Sequence, residues 1–227
     1  MPNPTPDPEL LRSLGKLTRG LSALFWGLPV ALIVSAETAR LNFIEPFEIV
    51  PALAANVLLL YGLWQMSSFQ KQERPWRNAL DRAKIFGLVN FGLCPFLYWF
   101  NRMPGQDYFR DAIFLLGISA MLFLFNLNVV LKQLGAMLPD ETLRHDVNLF
   151  TALNRWMLTA WMFFVSTALL LPQFSFFSTG LGLELQLRVG QAEAAILLFF
   201  GVAPLAITMA LIWKTKEVIF DSVFGAK

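Results

Sequence analysis

The sequence predicts an all-α, polytopic membrane protein, and three observations carry that prediction. Hydrophobic residues make up 56% of the 227-residue chain and charged residues only 15%, against about 45–50% and about 25% in an ordinary soluble domain. A fold of this size has room for a large core but still needs a polar surface, and the chain lacks the charges to build one. Second, the apolar residues fall in six windows, roughly Leu21–Ala39, Phe47–Met66, Ala83–Phe100, Ile113–Leu131, Phe150–Leu171 and Ala194–Trp213. Each is long enough for a hydrocarbon core, which takes about 20 residues and tolerates about 17 to 25. None alternates polar and apolar residues as a membrane β-strand does. Third, the basic residues gather in alternate connections. The expected organisation is one transmembrane helical domain over residues 1–227, with residues 1–20 as an N-terminal interfacial segment.

Pro2 to Pro8 is proline-rich and reads as extended chain. Asp7-Pro8-Glu9 then has the form of a helix start: a capping aspartate, a proline in the first turn, and an acid at the positive end of the dipole. Leu10, Leu11, Leu14, Leu17 and Leu21 share one face and Arg12, Lys16 and Arg19 another, which predicts an interfacial helix leading into the first span. Basic residues before an apolar run, with Val34-Ser35-Ala36 as a weak cleavage site, also outline a signal peptide. We read the segment as a retained membrane helix.

That first span carries a small residue at every fourth position: Ala23, Gly27, Ala31, Ser35 and Ala39. Such a ribbon lets a second helix approach closely, so these positions are expected at a helix–helix interface. Ala206 and Ala210 repeat the pattern briefly in the sixth span. Pro29, Pro51, Pro95 and Pro204 fall inside windows, where neighbouring helices accommodate them as kinks. The third window is the weakest, because Asn90 and Cys94-Pro95 interrupt it.

The connections carry the charge. With the N-terminus inside, thirteen basic residues fall on the cytoplasmic side and four (Arg40, Arg102, Arg110 and Arg188) on the other, with Arg155 left at a helix boundary. This bias predicts both termini cytoplasmic, in a plasma membrane of the bacterial inner-membrane kind. The connection 67–84 is the most basic stretch, and its Lys71, Arg74, Trp76 and Arg77 are expected in the headgroup layer, on anionic lipid. A second helix restart is expected at Pro139-Asp140-Glu141, with an Asp140–Arg144 ion pair and His145 on a solvated face. In 173–192, Leu181, Leu183, Leu185, Leu187 and Val189 alternate with polar residues, the period of a half-buried strand.

Function is constrained mainly by exclusion. Cys94 and His145 are each the sole representative of their type. An intrachain disulfide, bis-histidine haem and clustered-histidine metal sites are therefore ruled out within one chain. No P-loop, dinucleotide fingerprint or zinc motif occurs, a net charge of +2 does not suggest nucleic acid, and no cofactor is expected. Glu37, Glu48, Asp111 and Glu193 fall near the outer ends of spans, which argues against proton-coupled transport. The polar residues inside the spans lie toward the cytoplasmic side, so Asn90, Asn126, Asn128, Asn154 and Arg155 form a candidate inner polar layer. Arg155 is shaped to hold phosphate or carboxylate.

The leading functional reading is a non-catalytic subunit or scaffold of a membrane assembly, as a homo-oligomer or with another membrane protein. An oligomeric channel or carrier for ions, small solutes or lipid stands second, and a membrane enzyme acting on lipid third. The topology is directly testable. On a Cys94→Ala background, Pro75→Cys should label only from the cytoplasmic face and Glu184→Cys only from the other. Labelling of both from one face would overturn it.

Overall fold

The computed structural model describes residues 8–40, 49–70, 72–103, 105–138, 140–170, 199 and 201–221. The regular elements among these are helices: α1 Pro8–Arg40, α2 Val50–Met66, α3 Arg74–Leu93, α4 Pro95–Arg102, α5 Asp107–Met137, α6 Glu141–Leu170 and, closing the chain, α7 at 201–221. Among the described residues three stretches are long and apolar enough to cross a membrane, Leu11–Ala39, Arg74–Arg102 and Asp107–Met137, with Val50–Met66 a shorter apolar helix. The fifth expected window falls within α6, and α7 carries the described part of the sixth. The alternating 173–192 segment and Lys71 lie outside the described residues. The class the sequence predicts, an all-α membrane bundle, is the class observed. Its surface agrees: Trp26, Trp64, Trp156 and Phe163 are 65%, 74%, 70% and 74% exposed, a display of aromatic area suited to lipid rather than water.

The described part of the N-terminal segment is continuous with the first span, α1 running unbroken for 33 residues, about 50 Å. Along it Leu11 is exposed, Leu14 packs on the core, and Leu17 and Leu21 are completely buried.

The closest approach in the bundle lies between α1 and α2, its most extensively packed pair. A Cβ on Gly20 would stand 2.7 Å from the Gly62 carbonyl oxygen, and one on Gly62 2.9 Å from the Gly20 carbonyl oxygen. Only two glycines let the backbones come this near. Two turns further, a Cβ on Gly27 would meet Leu59 Cδ2 at 2.9 Å. Gly27 thus belongs to the interface, as does Gly20, a position outside the expected ribbon.

Successive helices run antiparallel, except that α4 continues α3 in the same direction through Cys94. Gly27 packs on Leu59, Gly87 on Leu60 and Phe123, and Gly135 on Val147. The main core fills the end of the bundle where α2 meets α3, from Leu17 and Leu63 through Leu80 and Leu134 to Ile212. That end also holds Arg12, Lys16, Arg19, Lys132 and Lys214, and is called here the basic end. A second, small cluster of Ala52, Cys94 and Leu97 marks the opposite end.

Trp76 does not lie where the sequence placed it. It is only 1% exposed. Its Nε1–H donates to the Phe69 carbonyl at 3.1 Å, and the two rings meet edge to face at 6.3 Å. A tryptophan that buries its ring and satisfies its only donor within the chain has nothing to gain from headgroups. It locks the α2–α3 turn, where Gln70 takes a left-handed φ of 42°. Arg74 and Arg77 of the same expected set are exposed.

The α6 start also works differently from the expected ion pair. Asp140 Oδ1 accepts hydrogen bonds from Thr142 N at 2.8 Å, Thr142 Oγ1 at 2.7 Å and Leu143 N at 3.1 Å, an N-cap. The Thr142 hydroxyl, first, and the backbone amides hold its carboxyl below the ordinary 3.8. The capping contribution is complete above that ordinary value and fades as pH falls through the lower folded one.

Glycine substitutions test the packing. Gly20→Ala should cost about 1–3 kcal/mol by overpacking. Gly15→Ala, whose added methyl meets nothing within 4 Å, should be neutral or stabilising by up to about 1 kcal/mol through helix propensity. Equal melting temperatures for the two variants in detergent would overturn the α1–α2 contact.

Candidate functional site

The structure divides the expected inner polar layer into separate places. Asn128 on α5, Asn154 on α6 and Thr208 on α7 meet, with 2%, 0% and 0% exposure. The Thr208 hydroxyl donates one turn back to the Pro204 carbonyl at 2.8 Å, as threonines in helices do. Its oxygen keeps two lone pairs and accepts Asn128 Nδ2–H at 2.9 Å and Asn154 Nδ2–H at 3.0 Å. The same amides also donate to backbone, Asn128 to Leu124 O at 2.8 Å and Asn154 to Pro204 O at 3.2 Å. One hydroxyl therefore ties three helices. Below it, Lys214 pairs with Asp146 between α7 and α6.

Two carbonyl oxygens at this junction, Asn128 Oδ1 and Asn154 Oδ1, are buried without a hydrogen-bond partner, as is the Thr151 hydroxyl. In hydrocarbon no bulk water supplies one. Asn126, two residues from Asn128, turns to another face and donates to Leu122 O of its own helix at 2.7 Å. It does not join the group.

Arg155 follows Asn154 by about 100° around the helix, which carries it from the interior to the rim. It is exposed, and it lines a groove of about 210 Å³ together with Lys132, Gln133, Thr151 and Asn128. No acidic residue lines the groove. The two cations, with the Gln133 amide beside them, form a surface suited to an anionic headgroup.

Asn90 sits elsewhere. It is 5% exposed and lines a larger, apolar cavity of about 280 Å³ with Asn56 and Cys94. Asn56 went unremarked in the sequence. Its Nδ2–H donates to Ala52 O at 2.9 Å and to Cys94 Sγ at 3.5 Å. The available signal was a lone amide within an apolar window, where polar groups are costly. His145 is exposed, as expected for a surface histidine. Among the described residues no three His, Cys, Asp or Glu side chains are grouped to hold a metal.

Together these features define a class: an all-α membrane bundle whose buried polar residues, among those described, carry neutral amides and hydroxyls. Comparison with protein-family models, curated proteins and solved structures finds no match.

Thr208→Val keeps the shape and removes the shared hydroxyl. It should cost about 1–3 kcal/mol, the penalty for leaving buried donors unpaired. Asn126→Leu, which breaks only a contact within α5, should cost less. Equal denaturant midpoints for wild type and Thr208→Val would refute the junction as a structural tie.

Proposed function

We propose that the chain is a non-catalytic subunit or scaffold of a membrane assembly, in a plasma membrane of the bacterial inner-membrane kind with both termini cytoplasmic. One observation carries this reading. The buried polar residues among those described are Thr38, Asn56, Asn90, Ser119, Asn126, Asn128, Asn154, Thr208 and Thr215, and none is ionisable. Proton relays through hydrocarbon are built on buried ionisable groups, whereas neutral amides joining helices serve to hold a bundle in one arrangement. The exposed aromatic surface supports seating among lipids or other membrane helices. The groove of Lys132 and Arg155 adds a contact for anionic lipid at the basic end, consistent with that end facing the cytoplasm. The cavity of about 280 Å³ favours a second reading, a carrier of a small apolar molecule.

Native mass spectrometry of the full chain released from nanodiscs decides between them. A scaffold should fly as a complex of fixed stoichiometry, with a second copy or another membrane protein, and should give no solute flux in liposomes above protein-free controls. It should retain phosphatidylglycerol, and Lys132→Gln with Arg155→Gln should reduce that retention at least fivefold while the melting temperature holds. A monomer at every concentration that conducts or carries solute would overturn the proposal. Unchanged lipid occupancy would reduce Arg155 to a topological anchor.

A further inference from the structure

Small residues in this bundle serve two opposite ends. Gly20, Gly27, Gly62 and Gly87 lack a Cβ because a neighbour occupies its place within 3 Å. Gly117 on α5 and Gly201 on α7 differ: a Cβ at either would meet nothing within 4 Å. Both line the cavity of about 280 Å³, and so do Ala31, Ser35 and Ala120. Here small side chains leave space open where elsewhere they let helices touch. The volume lies close to the lower limit of small-molecule sites, about 300 Å³. The cavity sits between the main core and the Ala52–Cys94–Leu97 cluster, beside the α3–α4 break.

Most of its walls are apolar, with Leu28, Leu116, Leu124 and Leu205 among them; Asn56 and Ser35 are polar, and no lining residue carries a charge. Asn90 also lines this space, 95% of its surface covered by protein, and its Oδ1 is buried and lacks a hydrogen-bond partner. An unsatisfied amide oxygen calls for a donor. A water molecule would satisfy that oxygen, but apolar walls leave the remaining volume dry. An ammonium group would be buried without a counter-charge. The complement is a neutral hydroxyl at the end of an apolar body, and the surrounding bilayer is where such molecules dissolve.

We propose that the cavity between α1, α3, α5 and α7 binds a neutral, hydroxyl-bearing membrane amphiphile, whose hydroxyl donates to Asn90 Oδ1 while its apolar body fills the space left open by Gly117 and Gly201. This site is separate from the Lys132–Arg155 groove, and it stands whether the chain is a scaffold or a carrier. A diazirine-bearing hexadecanol and its methyl ether are the probes, applied to the full chain in nanodiscs and mapped by peptide mass spectrometry. The alcohol should label residues of α3 and α5 around the cavity, be competed by plain hexadecanol, and exceed the ether at least fivefold. Asn90→Leu should abolish the preference for alcohol over ether. Gly117→Phe, which fills open space, should lower labelling by both at least fivefold with the fold intact. Equal labelling of wild type by alcohol and ether would overturn the proposal. So would labelling unaffected by Gly117→Phe, which holds even if Asn90→Leu fails to fold. Labelling spread over lipid-facing residues such as Trp26 and Phe163 would likewise sink it.

Discussion

A polar group inside hydrocarbon has no water to bind, so it must find its partner in the chain, and the Thr208 hydroxyl is where three helices meet that requirement. Two asparagine amides and one backbone carbonyl converge on a single oxygen. Each interhelical contact of this type is worth only about 0.6–1.7 kcal/mol. Their effect is on geometry more than energy. Apolar side chains pack acceptably in many rotations and registers. An amide that must reach one hydroxyl fixes the rotation of α5, α6 and α7 together, and the Lys214–Asp146 pair agrees with the same register.

The first two helices solve the packing problem without polar groups. Between Gly20 and Gly62 the backbones themselves are in contact, so the leucines on either side interdigitate over a short distance. Dispersion grows steeply as surfaces close, and this part of the bundle becomes its densest. The consequence for function lies at the other end. Where Gly117 and Gly201 face no filling neighbour, the helices part and an apolar space remains. The Cys94-Pro95 break lies beside it: Pro95 supplies no amide hydrogen for the carbonyl four residues earlier, and α3 gives way to α4 there. One bundle is thus close-packed at its basic end and open toward the other.

Some of this was legible in particular residues. Gly27 could be assigned to an interface because small residues recur every four positions around it. Ala31, one step along the same periodicity, packs on the main core and, like Ser35, also lines the cavity. Spacing tells that a face is narrow, not whether a partner comes to fill it. Trp76 was placed among headgroups because basic residues flank it. Its burial against Phe69 depends on a turn closing seven residues earlier in the chain, which composition cannot register. Asn90 and Asn128 looked alike as amides inside apolar windows, and helix rotation sent one to an apolar cavity and the other to the Thr208 junction.

By itself the sequence determined the class of protein. Hydropathy and charge are sums over residues, and a chain with this many apolar side chains and this few charges has only a bilayer-spanning helical solution for its backbone hydrogen bonds. The tertiary structure alone decided which small residues touch and which leave space, which asparagine finds a partner, and where Arg155 emerges. Those outcomes turn on the rotation and separation of helices far apart in the chain. An ångström between backbones is the difference between the Gly20–Gly62 contact and an open cavity, and no local pattern of residues encodes that distance.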